Sequence, residues 1–290
     1  MAAAGSLATA AGIAALCGSG PLDILLTNDD GAGAAGIRAL RAELVAAGHR
    51  VTLVAPDHNA SGTAMSFDWG PVRVTRDPDD PAVFAVGASP ATAVALGAST
   101  LFPPGRRPDL VVSGINHGPN KGALLVLSGT VGAALAGTLL LDPPVPGFAV
   151  NAERLAPAEP ADSPGNRAQL AAVGAHFVRL VAETRGWFCE DGRVARNRTV
   201  LNVNYPARPV SDVRGTVVAR QGSASDLRVT FSAVGPDQYR ADARRTDVPD
   251  DRDSDLRWLD RGYVTVTPVS GAIDAASGPS QALQRRLRRL

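Results

Sequence analysis

The chain has 290 residues, 45% of them hydrophobic, and its 29 basic and 28 acidic residues give a formal net charge of +1. This length and apolar content exclude a disordered protein and suffice for one large α/β domain. The near-neutral charge offers no electrostatic footprint for a nucleic acid duplex or an anionic membrane, so we expect small-molecule partners or further copies of the chain.

The first 20 residues form an uncharged stretch rich in alanine and glycine. It resembles the apolar part of a signal peptide but lacks the preceding basic residues, so a secreted protein is the lesser alternative. It is too short and alanine-rich for a membrane span, and we expect a flexible extension over residues 1–20, or an early start codon, before a single domain over residues 21–290. Cys17 and Cys189 are too few for a disulfide framework, which makes a reducing, cytoplasmic compartment the default.

Strands and helices are predicted to alternate from residue 22 onward. Continuous apolar runs at residues 22–27, 51–56 and 109–114 are typical of parallel strands covered on both faces. Helices are predicted over residues 36–48, 90–100, 128–140 and 167–184, a hairpin at 72–75 and 83–86, and strands at 145–150 and 199–204. The fold class is therefore α/β, a doubly wound, mostly parallel, Rossmann-like sheet whose core spans residues 21–205.

The later part of the chain predicts two additions to this core. Residues 151–165, rich in Pro, Ala and Glu, are expected to form a surface insertion. Candidate strands at residues 214–220, 227–231 and 262–267 predict a C-terminal β-rich arm and a terminal helix over residues 206–290. Four arginines within residues 285–289 favour a helix end over an anionic partner, since cations there interact well with the helix dipole.

Two adjacent carboxylates, Asp29 and Asp30, directly follow the first strand. Buried carboxylates are costly without a cation, and open α/β sheets bind ligands at the carboxyl ends of their strands. Oxygen ligands of this kind suit magnesium, manganese or calcium, and Gly31 permits a tight turn. A metal site is one interpretation, and a solvated turn before a helix is the other.

Three further polar segments are expected at the same edge of the sheet. The loop after the second strand brings the Ser61 hydroxyl, and the loop after residues 109–114 brings the Asn116 amide oxygen. Ser128 can cap a helix whose first groups would face an anion. Each segment alone is more often turn or cap chemistry, but together they favour a metal beside a phosphate site.

Four motifs occur in order: Asn-Asp-Asp-Gly at residues 28–31, Ala-Pro-x-x-x-x-Ser-Gly at 55–62, Ser-Gly-Ile-Asn-x-Gly-x-Asn at 113–120 and Ser-Gly-Thr-Val at 128–131. Gly-Tyr-Val-x-x-Thr-Pro at 262–268 also fits. With these motifs the chain resembles the SurE family of survival proteins, which are metal-dependent 5′/3′-nucleotidases. The resemblance covers nearly the full length.

The resemblance implies hydrolysis of nucleoside 5′- and 3′-monophosphates to nucleoside and phosphate by metal-activated water. It implies one divalent cation per subunit, Mn²⁺ or Mg²⁺, held by Asp29, Asp30, Ser61 and Asn116, with the two aspartates catalytic. The implied phosphate- and substrate-binding residues are Asn28, Gly31, Asn59, Gly62, Asn120, Ser128, Gly129 and Thr130. The relatives' assembly through such arms implies a homodimer or homotetramer.

Two histidines in the same loops, His58 and His117, are candidate general acids for the leaving alkoxide, although a solvated loop histidine is commoner. The chain departs from the family at the rim of the site. Residues 122–130 read Gly-Ala-Leu-Leu-Val-Leu-Ser-Gly-Thr where the family commonly has Gly-Asp-Asp-Val-x-Tyr-Ser-Gly-Thr, and Thr92 replaces an aspartate. These changes affect the expected substrate preference and oligomer contacts more than the metal site.

Two other classes of protein stay open on the sequence. A haloacid-dehalogenase-type phosphatase needs two acids spaced two residues apart and a distant lysine, whereas Asp29 and Asp30 are adjacent and Lys121 is the only lysine. The second alternative is a non-catalytic nucleotide- and metal-binding stress protein that has lost turnover with the rim acids.

Overall fold

A nine-stranded sheet forms the centre of the protein in the computed structural model, which describes residues 15–190, 193–194 and 198–271. Its strands are β1 (Asp23–Thr27), β2 (Arg50–Pro56), β3 (Val74–Arg76), β4 (Val83–Val86), β5 (Leu110–His117), β6 (Gly147–Ala152), β9 (Thr199–Tyr205), β10 (Thr216–Val218) and β13 (Val264–Ser270). Their order across the sheet is β10-β13-β9-β6-β5-β1-β2-β4-β3, and all neighbours are parallel except β13 with β9 and β3 with β4.

Helices cover both faces of this sheet. They are α1 (Ala35–Ala46), α2 (Pro90–Leu96), α3 (Gly129–Leu139), α4 (Pro164–Thr184) and α5 (Asp255–Asp260). Residues of α1 and α4 share one buried apolar cluster, and residues of α2 and α3 share a second on the opposite face. The doubly wound, mostly parallel α/β fold expected from the sequence is therefore confirmed, because strands buried on both faces need apolar runs without alternation.

The expected C-terminal β-rich extension of the sheet is confirmed. Part of it joins the main sheet directly, because β13 pairs with β9 and β10 pairs with β13. Only the antiparallel hairpin of β11 (Leu227–Gly235) and β12 (Gln238–Arg245) forms a separate two-stranded sheet. β12 was not expected, since its sequence is mostly polar. The predicted terminal helix and its arginines lie outside the described residues.

Residue 151 was expected in a surface insertion but lies in the sheet. Asn151 and Ala152 end β6, and Asn151 is fully buried between β5 and β9. The irregular segment therefore begins at Glu153 and ends where α4 begins at Pro164.

The described end of the expected N-terminal extension, residues 15–20, packs against the domain. Leu16 is fully buried in the apolar cluster of α1 and α4. The Arg185 guanidinium donates to the carbonyl oxygens of Ala15, Leu16 and Gly20. Residues 15–20 therefore belong to the fold, because buried contacts hold them. The expectation of a flexible extension is wrong for these residues. Residues 1–14 lie outside the described residues.

A disulfide bond joins Cys17 to Cys189 in the short strand β7 (Cys189–Glu190), which pairs with β8 (Arg193–Val194). This bond was not expected, because the two cysteines were assigned to a reducing compartment. Two cysteines 172 residues apart in sequence carry no local signal that they meet. The bond ties the N-terminal segment to the region that follows α4.

Reduction of this disulfide is expected to lower the free energy of unfolding by about 2–4 kcal/mol, because a cross-link over a long loop restricts the unfolded chain. Urea unfolding with and without reductant measures the difference. A double variant with Cys17→Ser and Cys189→Ser should be insensitive to reductant. Equal stability of the wild type in both conditions would contradict the expectation.

No helix among the described residues has both the length and the apolar character needed to cross a membrane.

Candidate active site

The carboxyl ends of β1, β2 and β5 and the beginning of α3 meet at one edge of the sheet. A cleft of about 300 Å³ opens there. It is lined by Asp29, Ser61, Gly62, Asn116, His117, Gly118, Pro119, Asn120, Lys121, Leu124, Leu127, Ser128, Asp226, Leu227 and Arg245. Residues from all four motifs thus share one cavity.

Asp29 is the most deeply buried acid of the cleft, with 3% of its surface exposed. The Thr130 hydroxyl donates to its Oδ1 over 2.6 Å. Burial raises the pKa of Asp29 to about 6; the Thr130 hydrogen bond opposes this shift and the neighbouring charge of Asp30 adds to it. A carboxylate held here gains strongly from a nearby cation.

Asp30 lies beside it, with a side chain only 6% exposed. The His117 backbone N–H donates to its Oδ2 over 3.2 Å, and His117 Nδ1 lies 3.6 Å from its Oδ1. Burial raises the pKa of Asp30 as well, with the neighbouring His117 opposing the shift. Two adjacent acids are therefore both poorly hydrated.

The turn that presents these acids is held by the fully buried Asn28. Its Nδ2 donates to the Gly31 carbonyl, and its Oδ1 accepts from the Gly31 N–H. Gly31 has a φ of +107°, a conformation that L side chains rarely adopt. Asn28 and Gly31 therefore act through the backbone geometry of the turn.

The loop after β2 approaches the same point. The Ala60 N–H donates to the Asp29 carbonyl over 2.7 Å, which fixes the loop to the end of β1. Asn59 Oδ1 accepts from the Ser61 N–H over 2.9 Å, so Asn59 shapes the turn that carries Ser61 into the cleft. His58 instead lies outside this lining: its side chain is 56% exposed and its Nδ1 is 2.8 Å from Asp57.

Asn116, expected in a loop, lies instead near the end of β5, and Asn120 lies in the loop that follows. Asn116 donates its Nδ2 to the Gly118 carbonyl over 2.9 Å, which leaves its amide oxygen as the atom able to bind a cation. Asn120 donates its Nδ2 to Asn151 over 2.7 Å, so this side chain is directed toward the sheet.

Three buried asparagines outside the four motifs hold this loop. Asn151 donates to Asn202, Asn202 and Asn204 donate to the Asn120 carbonyl, and Asn204 accepts from the Asn120 N–H. Asn151, Asn202 and Asn204 are each fully buried. The alternation Leu-Asn-Val-Asn within the apolar run of β9 could have indicated such a network, because buried amide side chains need hydrogen-bond partners.

The beginning of α3 completes the edge. Ser128 caps the helix by accepting from the Val131 N–H over 3.1 Å, and the first backbone amides of a helix favour an anion. Glycine is required at position 129 because the backbone there lies close to Asp29. A Cβ at this position would lie 2.8 Å from Asp29 Cβ and 2.9 Å from Asp29 Oδ2. Glycine therefore keeps space free beside one oxygen of Asp29.

The donor set fits a hard divalent cation. The described residues contain no cluster of three or more His, Cys, Asp or Glu. Two buried carboxylates, a hydroxyl and an amide oxygen at one edge instead give an all-oxygen set, which is typical of magnesium or manganese. The open space beside Asp29 Oδ2 is consistent with such an ion.

Metal binding is expected to weaken at mildly acidic pH, because a cation binds the ionised carboxylate and the pKa of Asp29 is raised to about 6. We expect the dissociation constant for Mn²⁺ to be at least about tenfold higher at about pH 5 than at about pH 7. Isothermal titration calorimetry at both pH values measures it. A dissociation constant that does not change would contradict this assignment.

Fold and site together define a doubly wound α/β protein with a paired-carboxylate site beside a helix N-terminus. A sequence profile of the family described as Survival protein SurE matches residues 24–227. The chain belongs to the SurE family, which confirms the resemblance.

Named relatives and a solved structure agree with this assignment. The 5′-nucleotidase SurE 1 of Burkholderia lata is 37% identical over 252 residues, which cover 85% of this chain and 89% of the relative. The 5′/3′-nucleotidase SurE of Yersinia enterocolitica is 34% identical, with 86% and 91% covered. A crystal structure of the SurE protein from Aquifex aeolicus superposes with a TM-score of 0.68 at 29% identity, covering 92% of this chain and 99% of that one.

Proposed function

We propose that the protein is a divalent-metal-dependent phosphatase that hydrolyses nucleoside 5′- and 3′-monophosphates to nucleoside and inorganic phosphate. The observation that carries this proposal is that Asp29 lines one cleft with Ser61, Asn116 and Ser128 at the beginning of α3, while Asp30 lies beside Asp29 and contacts the cleft residue His117. Relatives named 5′-nucleotidase and 5′/3′-nucleotidase support the same substrate class.

Asp29, Asp30, Ser61 and Asn116 would hold one Mn²⁺ or Mg²⁺ ion. When bound, an ion in such a site polarises a phosphoryl oxygen and lowers the pKa of a nearby water. Asp30 accepts the proton of the attacking water, and the backbone amides at Gly129 and Thr130 bind phosphoryl oxygens as charge develops on them. The Thr130 hydroxyl keeps Asp29 in place through its 2.6 Å hydrogen bond.

His117 is the better placed of the two candidate general acids, because it lines the cleft while His58 is largely exposed and paired with Asp57. It would donate a proton to the leaving alkoxide. Leu124, Leu127 and Leu227 form an apolar side of the same cleft and provide contact area for the nucleoside.

Phosphate release from 5′-AMP and 3′-AMP with Mn²⁺, Mg²⁺ or chelator tests the proposal. Release that requires metal supports it. No release with either metal, while the folded protein still binds Mn²⁺, would overturn the enzyme proposal in favour of a nucleotide- and metal-binding protein.

The hairpin of β11 and β12 favours a homodimer or homotetramer. Its register places Val229, Phe231 and Tyr239 on one face, where they are 53%, 70% and 69% exposed. A lone two-stranded sheet is marginally stable, and an exposed apolar face of this kind is covered in an oligomer. A second copy of this chain is the proposed partner.

Phe231→Asp is therefore expected to shift the protein to a smaller assembly, because a buried unpaired charge opposes association. Light scattering coupled to size-exclusion chromatography at several concentrations measures the mass. Thr230→Asp, on the opposite face of the same strand, is the matched control and should keep the wild-type mass. An unchanged mass for Phe231→Asp would contradict the role of this face.

A cytoplasmic location stays a prediction. The bond between Cys17 and Cys189 favours an oxidising compartment instead, which corresponds to the secreted alternative.

A further inference from the structure

One side of the cleft carries a cluster of charges that the proposed metal site and phosphate site do not use. Lys121, Asp226 and Arg245 line the cleft and also border an adjoining cavity of about 340 Å³. Lys121 directly follows Asn120, while Asp226 and Arg245 stand at the base of the hairpin. The cluster therefore joins the loop after β5 to the hairpin.

Lys121 and Arg245 share Asp226 as their carboxylate partner in the cleft. Arg245 Nη1 lies 2.6 Å from Asp226 Oδ2, and Lys121 Nζ lies 3.4 Å from the same oxygen. The other acid near Lys121 is Asp260, also at 3.4 Å, which lines the adjoining cavity and is 54% exposed. Within the cleft the two cations thus share one oxygen of Asp226, whereas Asp260, Glu153 and Asp247 lie on the side of the adjoining cavity.

The ion pairs of Lys121 do not fully offset the free-energy cost of burying its ammonium group. Its side chain is only 6% exposed, yet both carboxylate contacts are longer than an ordinary charge-assisted hydrogen bond. Burying an ammonium group is costly unless it is closely paired. An anionic group in the cleft would supply the missing partner.

We propose that Lys121 and Arg245 form an anion subsite for a second phosphoryl group, so that nucleoside bisphosphates are preferred over nucleoside monophosphates. This inference rests on the proposed function. One phosphoryl group occupies the site of Asp29, Asp30 and α3, and the other binds Lys121 and Arg245 without being cleaved. Water attacks the first phosphorus, its ester P–O bond breaks, and the products are inorganic phosphate and a nucleoside monophosphate.

Binding of adenosine 3′,5′-bisphosphate and of 5′-AMP, measured by calorimetry with the metal chelated so that no ester is cleaved, tests the subsite. We expect the bisphosphate to bind at least about tenfold more tightly than AMP, the effect of one further charged hydrogen-bonded contact. Lys121→Met and Arg245→Met should each remove most of this difference, and Lys121→Arg should restore it.

Arg244→Met is the matched control, since Arg244 neighbours Arg245 on β12 but points to the opposite face of the hairpin. It should keep the wild-type preference, and thermal unfolding of each variant verifies its fold. The subsite proposal would be overturned by equal affinities for the two ligands or by undetectable binding of both. It would also be overturned if Lys121→Met and Arg245→Met kept the wild-type preference. The preference is read without turnover, so a wild type inactive on AMP would overturn the proposed function and leave the subsite standing.

Discussion

Asp30→Asn is expected to lower kcat/KM for metal-dependent phosphate release from 5′-AMP by at least about a thousandfold. The substitution keeps the shape of the side chain but removes one of two negative charges from a position only 6% exposed. It removes both a proposed ligand for the cation and the group proposed to accept the proton of water. Initial rates at saturating Mn²⁺ measure the loss.

Asp57→Asn is the matched control for this experiment. Asp57 follows β2 at the same edge of the sheet, but it pairs with His58 and Arg73 and does not line the cleft. Its substitution should change kcat/KM by less than about threefold, as a surface change outside the site. Near-wild-type activity of Asp30→Asn would show that the proposed catalytic site is wrong.

Gly129→Ala is expected to weaken Mn²⁺ binding by at least about tenfold and to lower the phosphatase rate with it. A methyl group there would lie 2.8 Å from Asp29 Cβ and 2.9 Å from its Oδ2, so the carboxylate must move away from Thr130. Alanine also has the higher helix propensity, so a loss of metal affinity cannot be attributed to a weaker helix.

Gly33→Ala controls for the general effect of adding a methyl group near this edge. A Cβ at Gly33 would have no atom within 4 Å, and metal affinity should stay at the wild-type value. Calorimetric titration of Mn²⁺ into both variants makes the comparison. Wild-type affinity in Gly129→Ala would mean that the space beside Asp29 Oδ2 is not used by the cation.

The chain differs from its family at the rim of the cleft rather than in its floor. The apolar Leu124 and Leu127 line the cavity where the family commonly has an acid and a tyrosine. Leucines in place of an acid and a tyrosine make the rim less negative, which agrees with the proposed second anion subsite. We therefore expect a substrate preference that differs from those of relatives with acidic rims.

Local patterns in the sequence were sufficient to predict the strands of the main sheet. β1, β2 and β5 were recognisable because strands covered on both faces need uninterrupted apolar residues. The segments with Asp29, Asp30, Ser61 and Asn116 were recognisable because polar residues lie at or just after the ends of those apolar runs, although Asn116 proved to lie within β5. The carboxyl-end rule for parallel sheets then predicted one shared edge, where Asp29, Ser61 and Asn116 do line one cleft.

Contacts between residues distant in sequence were decided by the tertiary structure alone. Thr130 and Asp29 are 101 residues apart, and Asn120 and Asn204 are 84 apart, yet each pair shares a hydrogen bond. Cys17 and Cys189 meet across 172 residues. Periodicity reports which face of an element is apolar, whereas the partner of a particular polar atom depends on the packing of the whole chain.

The sequence by itself therefore determined the α/β class, the strand ends that carry the acids and the resemblance to SurE proteins. The tertiary structure decided that Thr130 holds Asp29, that three asparagines hold the loop of Asn120, and that Lys121 and Arg245 share one carboxylate at the cleft. The physical reason is that apolar burial is encoded locally along each element, whereas hydrogen bonds and ion pairs depend on distances that exist only after the sheet has assembled.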